Sequence, residues 1–255
     1  MVISIASQKG GTGKTTTAIT LAIGLGNLNQ RILLIDTDSQ ANASKVLIPK
    51  YSDIRKENSL YTTILERQEL SIHPTNYPNV DMVPSHILLS NTDIELTTAK
   101  DHREARLKNA LDAVKGQYDH ILIDCPPALS WLTINAFTAS DQVLVVIGPG
   151  YFELDSIAQI NKTINEVVEF FNPNLELAGY LFTMSDPTIN SQTSLKLLRQ
   201  TYTGDVLTTI IPRNTALRDA HFNKTDIYSH APKSKGALAY KKLVQELFSD
   251  DKEAK

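Results

Sequence analysis

The sequence holds one cysteine, Cys125, and one tryptophan in 255 residues. A single thiol makes no intramolecular disulfide and supplies no thiolate set for a structural zinc or an iron–sulfur cluster within one chain. A reducing, cytoplasmic setting is therefore expected. No run of about 18 apolar residues occurs, and the first residues lack the basic and apolar regions of a signal peptide, so neither membrane spanning nor export is expected. Positive charge is also short: 25 Lys and Arg stand against 28 Asp and Glu, a net of -3 with pI near 6.1. No global field draws this chain onto nucleic acid, and any such binding must come from a local patch. Internal repeats, low-complexity tracts and Gly/Ser linkers are missing too. One domain over residues 1–255 is the simplest organisation, with the polar stretch 50–59 as a surface excursion.

What is present is ordinary for a globular protein, at 42% hydrophobic and 21% charged residues. Residues 2–6 form a short β-branched run that ends at a glycine cluster and reads as a buried strand. Residues 15–28 carry apolar positions near helical spacing, and 31–35 is again a strand, which makes a βαβ unit. Further strands are predicted over 120–123, 142–147, 175–182 and 206–211. Helices are predicted over 131–139, 154–171, 194–202 and 236–248. Strands alternating with helices predict an α/β fold: a mostly parallel twisted sheet with helices on both faces.

The chemistry concentrates between the first strand and the first helix, at Lys9-Gly10-Gly11-Thr12-Gly13-Lys14-Thr15-Thr16. Glycines there let backbone N–H groups turn inward around phosphate oxygens, and the following helix aims its positive end at the same anion. Lys14 supplies a point charge to the β- and γ-phosphates, and the Thr15 hydroxyl is placed to ligate Mg²⁺. A nucleoside triphosphate, ATP with Mg²⁺, is the expected ligand. Residues 121–124, Ile-Leu-Ile-Asp, have the form of a strand ending in an acid, Asp124, that holds a magnesium-bound water. Cys125 follows it and reads as a buried structural thiol. Asp36 and Asp38 close the second strand, beside the phosphate loop, where open α/β sheets place their ligands.

A second lysine, Lys9, stands five positions before Lys14. With this loop the sequence resembles the deviant Walker A ATPases of the ParA and MinD superfamily, over nearly its whole length and least over 50–79. D-C-P-P at 124–127 and I-P-R-N at 211–214 also fall where a ParA chain has them, while Ser39 replaces the family's proline in D-x-D-P-Q-x-N. The resemblance implies that Lys9 reaches across a homodimer interface to the partner's nucleotide, with ATP sandwiched between subunits. It implies that Asp38 positions or activates the attacking water and that Asp36 supports the Mg²⁺ shell through water. Pro212 and Asn214 are the implied adenine contacts.

Within that superfamily one cysteine excludes an iron protein of the nitrogenase type. The chain ends in three acids and two bases over 250–255, which disfavours the basic amphipathic tail of a MinD-like membrane protein. Between residues 196 and 242 nine bases face three acids, a local excess suited to non-specific DNA. The candidate contacts are Lys196, Arg199, Arg218, Lys224, Lys233 and Lys235. The phosphate loop begins so early that no N-terminal helix-turn-helix domain is expected. The resemblance thus implies an ATP-dependent, nucleoid-associated switch whose hydrolysis is stimulated by a ParB-like or McdB-like adaptor. Its cargo is a plasmid, a chromosome or a protein organelle such as the carboxysome. The alternative is a membrane-associated regulator or an ATP-dependent assembly factor.

Overall fold

The computed structural model describes residues 1–249. The chain opens with β1 (Val2–Ala6), α1 (Lys14–Gly26), β2 (Ile32–Asp36), α2 (Asn42–Leu47) and α3 (Leu60–Glu66). It continues through β3 (His73–Pro74), β4 (Val80–Val83), α4 (Thr92–Thr98), α5 (Arg106–Asp112), β5 (His120–Asp124) and α6 (Trp131–Thr138). Then come β6 (Gln142–Ile147), α7 (Tyr151–Phe170), β7 (Glu176–Phe182), α8 (Ile189–Thr201), α9 (Thr215–Phe222), α10 (Ile227–His230) and α11 (Lys235–Phe248).

The strands form one sheet in the order β3-β4-β2-β5-β1-β6-β7, parallel except for the short edge strand β3. Successive side chains on each strand point to opposite faces, so the sheet divides the interior into two cores. Val2, Ala6, Leu33, Ile35, Ile121, Ile123, Val143 and Val145 face one layer, filled by α3 to α8 through residues such as Ile64, Leu107, Phe137, Ile160 and Leu198. Ile3, Ile5, Ile32, Leu34, Leu122, Leu144 and Val146 face the other, filled by α1, α2 and α9 to α11 through Ile19, Leu47, Leu217 and Leu243. Burial on both faces explains why these strands read as continuous apolar runs rather than alternating ones.

The expected mostly parallel sheet with helices on both faces is the observed one. The 50–59 excursion holds two short turns, Tyr51–Asp53 and Lys56–Asn58. Ile54 and Ser59 anchor it, at 8% and 0% exposure.

One predicted strand does not form. Residues 206–211 make no continuous ladder: Val206 bridges Tyr180 of β7, Ile211 N–H donates to the Phe182 carbonyl at 2.9 Å, and Pro212 bridges Ser185 beyond the end of β7. Between them the Thr208 and Thr209 N–H groups turn away and donate to the Glu246 carboxylate on α11, at 2.6 and 2.8 Å. A charged acceptor outcompetes the ladder there, because charge-assisted hydrogen bonds are roughly twice as strong as neutral ones. Gly179 lets this segment approach. Its φ is +141°, and a Cβ there would stand 2.9 Å from the Asp205 carbonyl oxygen.

Candidate phosphate and metal site

The carboxyl ends of β1, β2 and β5 lie side by side, with the register pairing Ile5 to Asp124 and Asp36 to Asp124. Three sequence segments remote from one another therefore deliver their polar ends to one edge of the sheet. From β1 the chain turns through the glycine loop, where Gly11 and Gly13 have φ of +79° and +88°. Gly13 leads into α1 with no side-chain cap, and no acid occupies the first turn. The first N–H groups of α1 are thus available to an anion. Lys14, at 6% exposure, folds its ammonium back onto the Lys9 carbonyl at 3.1 Å, with the Thr12 hydroxyl at 3.5 Å from the same oxygen. The lysine is held over the loop it is expected to serve.

The two strand-end acids are fully buried, both at 0% exposure, and they differ in their partners. Asp36 is well partnered: one oxygen accepts from the Ser44 N–H at 2.9 Å and the Ser44 hydroxyl at 2.7 Å, the other from the Asp38 N–H at 3.1 Å. Ser44 in turn accepts from the Ser85 N–H at 2.9 Å, and the Ser85 hydroxyl donates to the Asp38 carbonyl at 2.5 Å. Asp36 thereby ties β2, the 38–44 loop and the end of β4 together. Asp124 is the opposite case, since neither of its buried oxygens meets a hydrogen-bond donor among the described residues.

Burial pushes the Asp36 carboxyl up to about 6, against the pull of Ser44 and the Asp38 N–H. Burial, followed by the Asp36 charge, raises Asp124 well above the usual carboxylate range, while the Thr15 hydroxyl and the Lys14 charge work the other way. Two adjacent buried carboxylates with one left unsatisfied are an arrangement that a divalent cation completes. Among the described residues no group of three metal-ligating side chains occurs. That suits Mg²⁺, which is held by one or two protein oxygens together with phosphate and water. Cys125 is at 1% exposure, and burial drives its thiol up to about 12, so it is an inert packing residue as the sequence indicated.

Beside the loop opens a cleft of about 470 Å³, lined in part by Gly13, Thr16, Met184, Pro212, Asn214 and Tyr240. Pro212 and Asn214 therefore share one wall with the start of α1. The Asn214 side-chain oxygen is occupied as the cap of α9, accepting from the Ala216 N–H at 2.9 Å, so the amide N–H₂ is the group it has left to donate. Arg218 also lines this cleft, so the structure sets it apart from the other five basic candidates. Lys196 and Arg199 lie on α8, Lys224 follows α9, and Lys233 and Lys235 border the start of α11; all are exposed.

Sequence reasoning missed Ser44 and Ser85, whose role depends on β4, a four-residue strand with an interior aspartate. It also missed Thr183, Met184 and Tyr240 in the cleft, which no local motif marks.

The sequence profile of the AAA domain family matches residues 1–177. The chain is 37% identical to the sporulation initiation inhibitor protein Soj of Bacillus subtilis over 249 residues, covering 96% of this chain and 97% of that one. Its fold superposes with a TM-score of 0.81 on cobyrinic acid a,c-diamide synthase of Mycobacterium smegmatis bound to an ATP analogue and magnesium, at 31% identity over 96% and 92% of the two chains. It superposes with a TM-score of 0.82 on a plasmid partition protein of Borrelia burgdorferi bound to AMPPNP, at 25% identity over 96% and 97%. No helix among the described residues is long and apolar enough to cross a membrane.

Proposed function

The chain belongs to the ParA and MinD superfamily of P-loop ATPases, and from that premise we propose that it is a partition ATPase, an ATP-driven dimeric switch that carries a cargo on DNA. One fold supports many activities, so the site carries the reading. The observation that carries it is the meeting of the glycine loop with the Asp36–Asp124 pair, where Asp124 offers two buried oxygens without donors.

In this reading the loop N–H groups and the start of α1 hold the phosphates, Lys14 shifts from the Lys9 carbonyl to the β- and γ-phosphate oxygens, and the adenine enters the cleft beside Pro212 and Asn214. Thr15 and Asp124 would hold Mg²⁺, and Asp36 would support that site. Mg²⁺, when bound, neutralises the charge that develops on the transferring phosphoryl group. Asp38, half-buried at the end of β2, positions the attacking water. Lys9, half-buried at the loop's start, reaches the nucleotide of a second subunit. The dimer is then favoured only with the triphosphate, since only that state provides contacts from Lys9, Lys14 and Asp38 together.

The exposed bases Lys196, Arg199, Arg218, Lys224, Lys233 and Lys235 supply the non-specific DNA contact, doubled in the dimer. On this reading the protein works in the cytoplasm, on the nucleoid. A ParB-like or McdB-like adaptor links it to its cargo and stimulates hydrolysis.

The test is binding of Asp38→Ala to random-sequence duplex DNA over a salt series with ATP, with ADP and without nucleotide. Binding with ATP alone that fades steeply as salt rises supports the reading. Absence of DNA binding in every nucleotide state, together with ATP-dependent binding to anionic vesicles, favours the membrane class instead.

A further inference from the structure

Thr183, the first residue beyond β7, is 2% exposed and reaches the phosphate loop from 171 residues away in sequence. Its hydroxyl lies 2.7 Å from the Thr12 carbonyl oxygen and 3.2 Å from that of Ile147. The Ile147 oxygen already accepts the Thr183 N–H at 2.8 Å. The hydroxyl proton therefore goes to the shorter, otherwise undirected contact with Thr12.

This contact fixes more than a carbonyl. Thr12 C=O and Gly13 N–H belong to one trans peptide unit and point in opposite directions. With the oxygen pinned toward the end of β7, the Gly13 N–H is turned away from β7. Gly13 sits at φ +88°, a conformation in which the flanking peptides rotate with little steric resistance when nothing holds them.

On the nucleotide-binding reading above, we infer that Thr183 is a positioning residue that locks the Thr12–Gly13 peptide so that the Gly13 N–H donates to the β-phosphate. Without its hydroxyl, the buried Thr12 carbonyl loses its donor, and a peptide flip that sends this oxygen to the opposite side sets a partial negative charge against the phosphate. Thr183 touches neither substrate nor metal in this role. It acts by orienting a donor that does.

The discriminating ligands are Mg²⁺-ADP and AMP, which differ in the β-phosphate. Titration calorimetry on the full chain compares the wild type with Thr183→Val, which keeps the side-chain volume and removes the donor, and Thr183→Ser, which keeps the donor. The expected result is a loss of about five- to ten-fold in ADP affinity for Thr183→Val, the worth of one directed hydrogen bond. AMP affinity changes by less than about two-fold, because no β-phosphate is present to report the donor, and Thr183→Ser keeps near-wild-type ADP affinity.

Unchanged ADP affinity in Thr183→Val, equal losses for ADP and AMP, or a serine variant that behaves like the valine one overturns the inference. Should Thr183→Val lack a cooperative melting transition, Thr183→Ala is read by the same criteria. A wild type that binds no Mg²⁺-ADP refutes the nucleotide reading itself. A wild type that binds, with a valine variant that binds equally well, refutes the role of Thr183 alone.

Discussion

Asp124→Asn should make the nucleotide-free protein more stable at neutral pH while destroying its metal-dependent ligand binding. Two buried carboxylates set this effect. The Asp36 carboxyl titrates at about 6 in the folded protein against 3.8 for an ordinary aspartate, so between those values the native state holds a proton that the unfolded chain has lost. Stability then falls as pH rises, by about 1.4 kcal/mol per pH unit per proton, and is flat above the folded value. Over the roughly two units of the Asp36 shift this amounts to about 3 kcal/mol lost between pH 4 and pH 7. Asp124 is displaced in the same direction by burial and by the Asp36 charge, so its contribution has the same sign.

Replacing Asp124 by Asn removes its titration, leaves that of Asp36, and gives up only the pull of the Thr15 hydroxyl and the Lys14 charge, which burial outweighs. Urea denaturation of both proteins at pH 4, 5, 6 and 7 without nucleotide measures the difference. The variant should be the more stable at pH 7, and the gap should close as pH falls. The second arm adds Mg²⁺-ADP at about a hundred times its dissociation constant, which should raise wild-type stability by about 2.7 kcal/mol and leave the variant unmoved. A variant that is less stable than wild type at pH 7, or a gap that widens toward low pH, refutes the reading of Asp124 as a buried carboxylate whose desolvation outweighs the pull of Lys14 and Thr15.

Lys9→Ala should retain Mg²⁺-ATP binding while losing ATP-dependent dimerisation, and unchanged sedimentation with ATP counts against a contact made across the interface. Gly179→Ala should cost about 1–3 kcal/mol in urea denaturation, because its Cβ meets the Asp205 carbonyl oxygen at 2.9 Å and φ is +141°. A neutral effect would show that the 205–207 segment yields freely. Glu246→Gln should cost about 1–3 kcal/mol at pH 7 through weaker bonds to Thr208 and Thr209. Those bonds hold the Glu246 pKa below its usual value despite burial, so the difference should vanish as the pH falls through that depressed value and the wild-type carboxylate protonates. A difference independent of pH would place the effect in packing.

The phosphate loop and the strand-end acids were legible because their chemistry is local. A glycine run between a strand and a helix announces its conformation, and a buried parallel strand ending in an acid announces a polar carboxyl end where ligands sit. The strand predicted over 206–211 failed for a tertiary reason, since Glu246 on a helix some forty residues away captures two of its N–H groups. Nothing in the segment itself marks that competition. β4 was missed because four residues with a charge among them carry little periodicity, and with β4 went the Ser44–Ser85 link that holds the Asp36–Asp38 loop. Thr183 is the clearest case: an ordinary threonine at a strand end acquires its role only when β7 is laid beside β6 and the loop after β1. Arg218 is exposed like the other five candidate bases and also lies on the wall of the cleft, a placement on α9 that no local motif marks.

The most direct test of the account is the mass of Asp38→Ala in solution by sedimentation equilibrium with Mg²⁺-ATP and with Mg²⁺-ADP. The account predicts a dimer with ATP and a monomer with ADP, because the contacts that join two subunits require the γ-phosphate. A monomer under both nucleotides, with ATP shown to be bound, would contradict it.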